Sequence, residues 1–403
     1  MNAPTPNPKV IAWARREGGF AVPRVAKRLQ VNVPRVEAWK SGARQPTMRQ
    51  IKLLAGLYQR PLSLFFLPEP PKVVPLAAEY RRLADVVPGQ ESTELRLAIR
   101  HMLVRRETAL NLMEELGKEI TEFRLSARLS DSHVDVGNRL RATAGITIEQ
   151  QAGWSDAWQA WREWRSALES LGLLVFMFPK VSLQEVRGIS LLRTPMPVVA
   201  ANTKEFAEAR VYTTLHEVVH LMLVAAQEET TALKDTHTPE QWKAVERFAE
   251  IAASHALLPE AWLESAVREE DRDGRMDLES VRRLAWRFKM TPLATATRLR
   301  ESGYMTWAES RAWRARWDDH VARLAKKQGG FATPVGKALG RGGRSFAQLV
   351  VEALDTNRIT SVEASRYLDL KFAHFEKLRE GLATGSQVST WRKLYTSKAP
   401  IRA

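Results

Sequence analysis

A mainly α-helical fold with an α+β core is expected from this sequence, on three observations. Apolar residues recur at three- and four-residue intervals through most of the chain, as in Ile51-xx-Leu54-Ala55-xx-Tyr58. One stretch breaks that cadence: residues 173–178 form a continuous apolar run between Gly172 and Pro179, and 188–192 and 198–201 are further short strand candidates. Helical spacing then resumes, from about 206 to 226 and again from about 239 to 258. Helix, small sheet, helix, helix is an α+β order.

Taken in order, residues 8–68 read as a compact all-α unit of four short helices, closed by Pro68, Pro70 and Pro71, which together cannot continue a helix. Residues 75–150 read as a helical connector. Residues 155–265 hold a Trp-rich helix (Trp158, Trp161, Trp164), the small sheet and the two long helices. A basic helical region follows at 266–339, in which the cadence around Val281 to Pro292 resembles a helix-turn-helix and reads as a buried helical pair. Gly340-Arg-Gly-Gly-Arg344 combines glycine with like charge and reads as a linker to a small C-terminal helical unit at 345–385.

Composition narrows the function. Lys+Arg 61 against Asp+Glu 46 gives a formal charge of +15, which favours a polyanionic partner, nucleic acid first. There is no Cys, so disulfides and thiolate metal sites are excluded and any metal must use His and carboxylate. Residues 1–9 are polar and Pro-rich without an apolar leader core, and no stretch approaches the roughly 18 apolar residues of a membrane span. A soluble, cytoplasmic protein without membrane contact is the expectation.

The chemistry is concentrated at Leu215-His216-Glu217-Val218-Val219-His220. Two His four apart lie one turn apart on one helix face, so both rings can reach one ion. Glu217 is turned from that stripe by roughly 100°, which aims it at a water beside the ion instead of the ion itself. An HExxH helix of this kind is the pattern of zinc peptidases, with His216 and His220 as ligands and Glu217 as catalytic base. A third protein ligand is required. Glu246, 26 residues beyond His220 (246 − 220) on the returning helix, is the first candidate, with Glu250 or His255 as alternatives. Glu250, one turn after Glu246, could also orient a ligand imidazole as a hydrogen-bonding carboxylate. Zinc is the expected ion, and manganese suits the same donors.

Residues 157–259 resemble the ImmA/IrrE metallopeptidases. The resemblance rests on Leu171-Gly-Leu-Leu-Val-Phe176, Val186-Arg-Gly-Ile189, Pro197-Val-Val-Ala-Ala-Asn202, the run from Ala209 through His220, and the stretch from Glu246 to Pro259. It implies zinc on His216, His220 and Glu246, with Glu217 as base. Relatives usually carry Asn four residues after the third ligand, where Glu250 stands here. The resemblance further implies cleavage of a helix-turn-helix repressor, although some relatives act as regulators without proteolysis.

The N-terminal unit resembles the Cro/C1 (XRE-type) helix-turn-helix in Val25-Ala26-xx-Leu29-xx-Asn32, Val36-xx-Trp39-xx-Gly42 and Arg44-Gln-Pro-Thr47. Asn32 would cap the second helix of the motif, and Pro34 suits its first turn. Arg35, Lys40 and Arg44 would grip phosphates, whereas Val33, Pro34 and Ala38 offer no bidentate fork to a base. DNA binding, with pairing as a homodimer, stands beside a retained fold used for protein contact. Two functions follow: a zinc endopeptidase that cleaves a repressor or antitoxin-like protein and is coupled to DNA binding, or a DNA-binding regulator or antitoxin with a non-catalytic metal site.

Overall fold

The computed structural model describes residues 5–83, 86–270, 276–323 and 332–383. Four helices open the chain: α1 (Pro8–Glu17), α2 (Val22–Leu29), α3 (Val33–Ser41) and α4 (Met48–Tyr58). They enclose their own core, in which Ile11, Val25, Val36, Trp39, Leu54 and Tyr58 meet Phe65. Between α2 and α3, Gln30 takes the left-handed conformation, and the Asn32 side chain accepts the Arg35 N–H at 3.1 Å to cap α3, with Pro34 in its first turn.

The stretch 75–150 divides among different layers. Residues 79–81 form a short strap, in which Tyr80 bridges to Leu191 and Arg81 to Thr231. Beyond it, α5 (Thr93–Glu115) lies on one side of the sheet, and α6 (His133–Thr143) and α7 (Ile148–Gly153) pack on the other, against helices that come later in the chain. After α8 (Ala157–Ser170) come β1 (Leu174–Phe178), β2 (Gly188–Leu191) and β3 (Val198–Asn202). Their order is β1-β3-β2, with β3 parallel to β1 and antiparallel to β2; Leu174 stands opposite Val198, and Gly188 opposite Ala201.

Every strand residue is buried. Val175, Met177, Val199 and Ala201 enter the core built by α6 to α8 and the later helices, whereas Leu174, Phe176, Phe178, Val198 and Ala200 enter a second core. A strand covered on both faces favours apolar side chains at successive positions, which is why 173–178 is a continuous run without alternation.

The first core also holds α9 (Ala207–Ala225), α10 (Pro239–Leu257), α11 (Glu260–Glu270), α12 (Leu278–Phe288), α13 (Pro292–Glu301) and α14 (Trp307–Arg323). Val281, Leu284, Phe288 and Leu299 bury the α12–α13 pair within it. The second core is closed by α15 (Pro334–Asp355), α16 (Ser361–Leu368) and α17 (Phe375–Ala383).

The linker expected at 340–344 is not one. These residues lie inside α15, which is broken only at Gly343 (φ 84, ψ 170). Their glycines serve packing: a Cβ on Gly343 would stand 2.5 Å from Arg165 Nη2, and Arg165 donates to the Gly340 carbonyl at 2.9 Å. Close approach of α15 to α8, more than flexibility, is what small residues permit here. No helix among the described residues is long and apolar enough to cross a membrane.

The tightest helix contact is α6 on α10. A Cβ on Gly137 would meet the Ala252 carbonyl oxygen at 2.3 Å and Ala256 N at 2.9 Å, both backbone atoms that cannot swing away. Gly137→Ala is therefore expected to destabilise the fold by about 2 kcal/mol, as overpacking does. Urea denaturation that gives an unchanged midpoint would contradict this contact.

Candidate metal centre

α9 is held between the sheet and α10 and is buried along most of its length, so its polar side chains are placed by packing. His216, His220 and, from α10, Glu246 bring one donor atom each within 4.8 Å of one another. The two Nε2 atoms stand 3.0 Å apart; His216 Nε2 is 3.3 Å from Glu246 Oε2, and His220 Nε2 is 3.6 Å from Glu246 Oε1. Tetrahedral zinc with bonds near 2.05 Å has donor–donor edges of about 3.3 Å. Donor type and spacing both fit that ion.

The structure thus brings together all three expected ligands and sets Glu217 beside them. Glu217 is 2% exposed. Its Oε2 accepts from the Ser190 hydroxyl of β2 at 2.5 Å. Gly188 makes this approach possible, because a Cβ there would lie 2.6 Å from Thr213 Cγ2 and 2.8 Å from Glu217 Cγ. Burial pushes the Glu217 carboxyl up, but the Arg81 guanidinium and the two imidazoles more than reverse that, leaving it below the usual carboxylate range. Glu246 goes further in the same direction: burial opposes, and the hydrogen bonds from His216 and His220 with the charge of Arg81 prevail.

Two partners escaped the sequence reading. Glu229, from the loop after α9, accepts a hydrogen bond from His220 Nδ1–H at 2.6 Å. That bond leaves Nε2 as the ring atom facing the cluster, where a metal would displace its proton, the orientation expected of a metal-binding imidazole. Burial and Arg81 pull the His220 ring down, but the Glu229 pair prevails and the ring is pushed up to about 9. The imidazole-orienting role expected of Glu250 therefore falls to Glu229. Glu250 is exposed, and its hydrogen bond is a backbone one, its carbonyl accepting from Tyr212 at 3.5 Å. The alternative ligand His255 faces Arg298 instead, with Nδ1 3.0 Å from its guanidinium. Arg81 is the second partner. It donates from Nε to Glu217 Oε2 (3.2 Å), from Nη2 to Glu217 Oε1 (3.0 Å) and from Nη1 to Glu246 Oε1 (3.0 Å). Neither residue carried a sequence signal: Glu229 follows the helix at no periodic spacing, and Arg81 is one of 61 basic residues.

Among the N-terminal candidates, Asn32 and Arg44 are exposed and Arg35 is half-buried. Lys40, also half-buried, is tied to Glu37 at 2.6 Å.

A three-stranded sheet carrying an HExxH helix, with a carboxylate from the next helix, defines a metallopeptidase-type domain. In agreement, residues 168–300 match a family model described as Peptidase_M78, IrrE N-terminal-like domain. The match covers 133 of 403 positions (300 − 168 + 1) and runs past 265 to take in α11, α12 and most of α13. No curated protein matches the chain.

Removing the Glu229 carboxylate leaves a buried N–H of His220 without its acceptor and frees the ring to turn. Glu229→Ala should weaken zinc binding by roughly 10–100-fold, read by competition against a chromogenic chelator. Wild-type affinity in this variant would remove Glu229 from the site.

Proposed function

We propose that this protein is a zinc-dependent endopeptidase acting on a helix-turn-helix repressor or antitoxin-like protein, with its N-terminal unit coupling that activity to DNA. The observation that carries the catalytic half is the convergence of His216, His220 and Glu246 beside a buried, ionised Glu217. Zinc held by His216, His220 and Glu246 would supply Lewis acidity and bring the pKa of a water beside it down to about 7. Glu217, fixed by Ser190, accepts the proton of the attacking water and delivers it to the leaving amine. Glu229 holds the His220 ring in the tautomer that binds metal.

The regulator reading has one specific observation in its favour. Both Glu217 oxygens are already engaged by Arg81, and the strap that carries Arg81 lies along the exposed edge of β2, with Tyr80 bridged to Leu191. An extended substrate would find that part of the edge taken.

Glu217→Gln separates the two readings. The variant should keep its fold and one equivalent of zinc by mass spectrometry while losing at least about a hundredfold in cleavage of a co-expressed helix-turn-helix repressor. Glu246→Ala should lose the metal itself. A wild-type protein that holds zinc yet cuts no such partner transfers the proposal to the regulator.

For the DNA half, the support is the turn between α2 and α3 and the position of Arg35, Lys40 and Arg44 on or just after α3. Their contacts would be to phosphate. The double variant Arg35→Ala, Lys40→Ala should weaken DNA binding at 100 mM salt and reduce the slope of log K against log salt by about 2. An unchanged slope in a fluorescence-anisotropy titration would place the contact elsewhere.

A further inference from the structure

The residue that completes the site comes from outside the matched segment. Arg81 lies in the strap before α5, and the backbone holds that strap from two sides. Leu192 N donates to the Glu79 carbonyl at 3.0 Å, and Ala232 N donates to the Tyr80 carbonyl at 2.8 Å. Leu233 N, also from the loop after α9, donates to the Ala77 carbonyl at 2.8 Å. Side chains reinforce this: Tyr80 is fully buried with its hydroxyl on Glu91, and the Glu79 carboxylate takes the Arg193 guanidinium. Arg81 is therefore aimed by a pinned backbone and not by a surface rotamer.

Arg81 is 4% exposed, and its guanidinium carbon lies 5.8 Å from the centre of the Trp242 ring. Nη1 bonds the Arg82 carbonyl at 2.7 Å as well as Glu246, so the fork is committed on every side that faces the site. The acceptors are what make this arrangement informative. Glu217 and Glu246 are two carboxylates with side chains only 3% and 23% exposed, and anions so placed are costly unless a cation pairs with them. Glu246 Oε1, which Arg81 holds at 3.0 Å, is the same oxygen that stands 3.6 Å from His220 Nε2 in the ligand cluster. A planar fork can hold two carboxylates in fixed orientation, which a lysine ammonium at the same place could not.

We infer that Arg81 is a resident cation of this site and a positioning residue for both carboxylates: it holds Glu217 and Glu246 in register before metal enters, and competes with the entering ion for Glu246 Oε1. The first half stands on the hydrogen bonds alone. The second rests on the metal reading above.

The test is a double-mutant cycle of thermal unfolding on the full chain: wild type, Arg81→Met, Glu217→Gln and the double variant, each in EDTA and then in excess zinc chloride. In EDTA, Arg81→Met is expected to melt roughly 5–10 °C below wild type, the loss appropriate to stranding buried charge. Glu217→Gln placed in the same chain should recover about half of that loss, because it neutralises one of the stranded anions. Loss of mere packing against Trp242 would not be relieved in this way. Zinc should then raise the melting temperature of Arg81→Met more than that of wild type, since its competitor is gone. Should Arg81→Met fail to accumulate folded, Arg81→Lys takes its place in the cycle, keeping the charge but not the fork.

Equal melting of wild type and Arg81→Met in EDTA overturns the inference, as does a loss that Glu217→Gln leaves untouched. Equal zinc-induced rises overturn the competition while leaving the metal reading intact. If zinc raises neither protein, the metal reading fails, and the EDTA half of the cycle still decides whether Arg81 holds the carboxylates.

Discussion

Three carboxylates, two buried and one half-buried, gathered around the middle of α9 are the constraint on which the rest of this structure turns. Glu217, Glu229 and Glu246 have side chains 3%, 2% and 23% exposed, and each needs a positive partner where water cannot supply screening. The protein assigns the partners by position. Glu229 takes the imidazole of His220; Glu217 takes one face of the Arg81 fork; Glu246 sits between that fork and the two Nε2 atoms. A divalent ion adds charge at the one corner where three donor atoms already converge.

Such a balance requires precision in how the elements approach one another. α9 must lie close enough to β2 for Ser190 to reach Glu217, and Gly188 removes the Cβ that would hold them apart. α10 must deliver Glu246 at the height of His216 and His220. Its position is set from behind by α6, which meets it backbone to backbone at Gly137. The capping box at Thr238 and Gln241 fixes where α10 begins, so Glu246 emerges two turns later, on the face toward α9. The site is thus a product of two packing contacts and one helix cap, and both packing contacts depend on glycines with no chemical role.

Legibility in the sequence followed from how local each signal is. The motif on α9 and the returning helix were readable because one turn of helix dictates the His216–His220 spacing, and apolar residues recur at helical intervals from about 239 to 258. The small sheet was readable as apolar runs because burial on both faces removes polar residues from a strand. Glu229 and Arg81 were not, because a loop carboxylate and an arginine in a strap acquire meaning only from tertiary neighbours. The glycines of 340–344 misled for the same reason. Gly-Arg-Gly-Gly-Arg has the composition of a flexible joint, but it is used to let α15 pass close to Arg165, and no single-sequence pattern separates those uses. Glu250 was a reasonable candidate for the imidazole, being one turn from Glu246. That turn carries it out to solvent, and the His220 Nδ1 bonds Glu229 from the loop after α9 instead.

The boundaries of the matched segment, 168–300, do not coincide with the boundaries of the physical unit. Leu174, Phe176, Phe178, Ile189 and Leu191 form the sheet face that meets α5 and α15 to α17, all of which lie outside the match. The free edge of β2 is likewise covered by Tyr80, and the charge beside Glu217 is supplied by Arg81. The segment therefore contributes the ligands, while the flanking helices supply one wall of its core and the strap supplies its counter-charge. A site that depends on chain from both sides of the catalytic segment is sensitive to whatever happens on either side. The strap is also the stretch through which the N-terminal helices connect to α5, whose Thr93, Arg96 and Arg100 bond the backbone at Glu17 and Gly19.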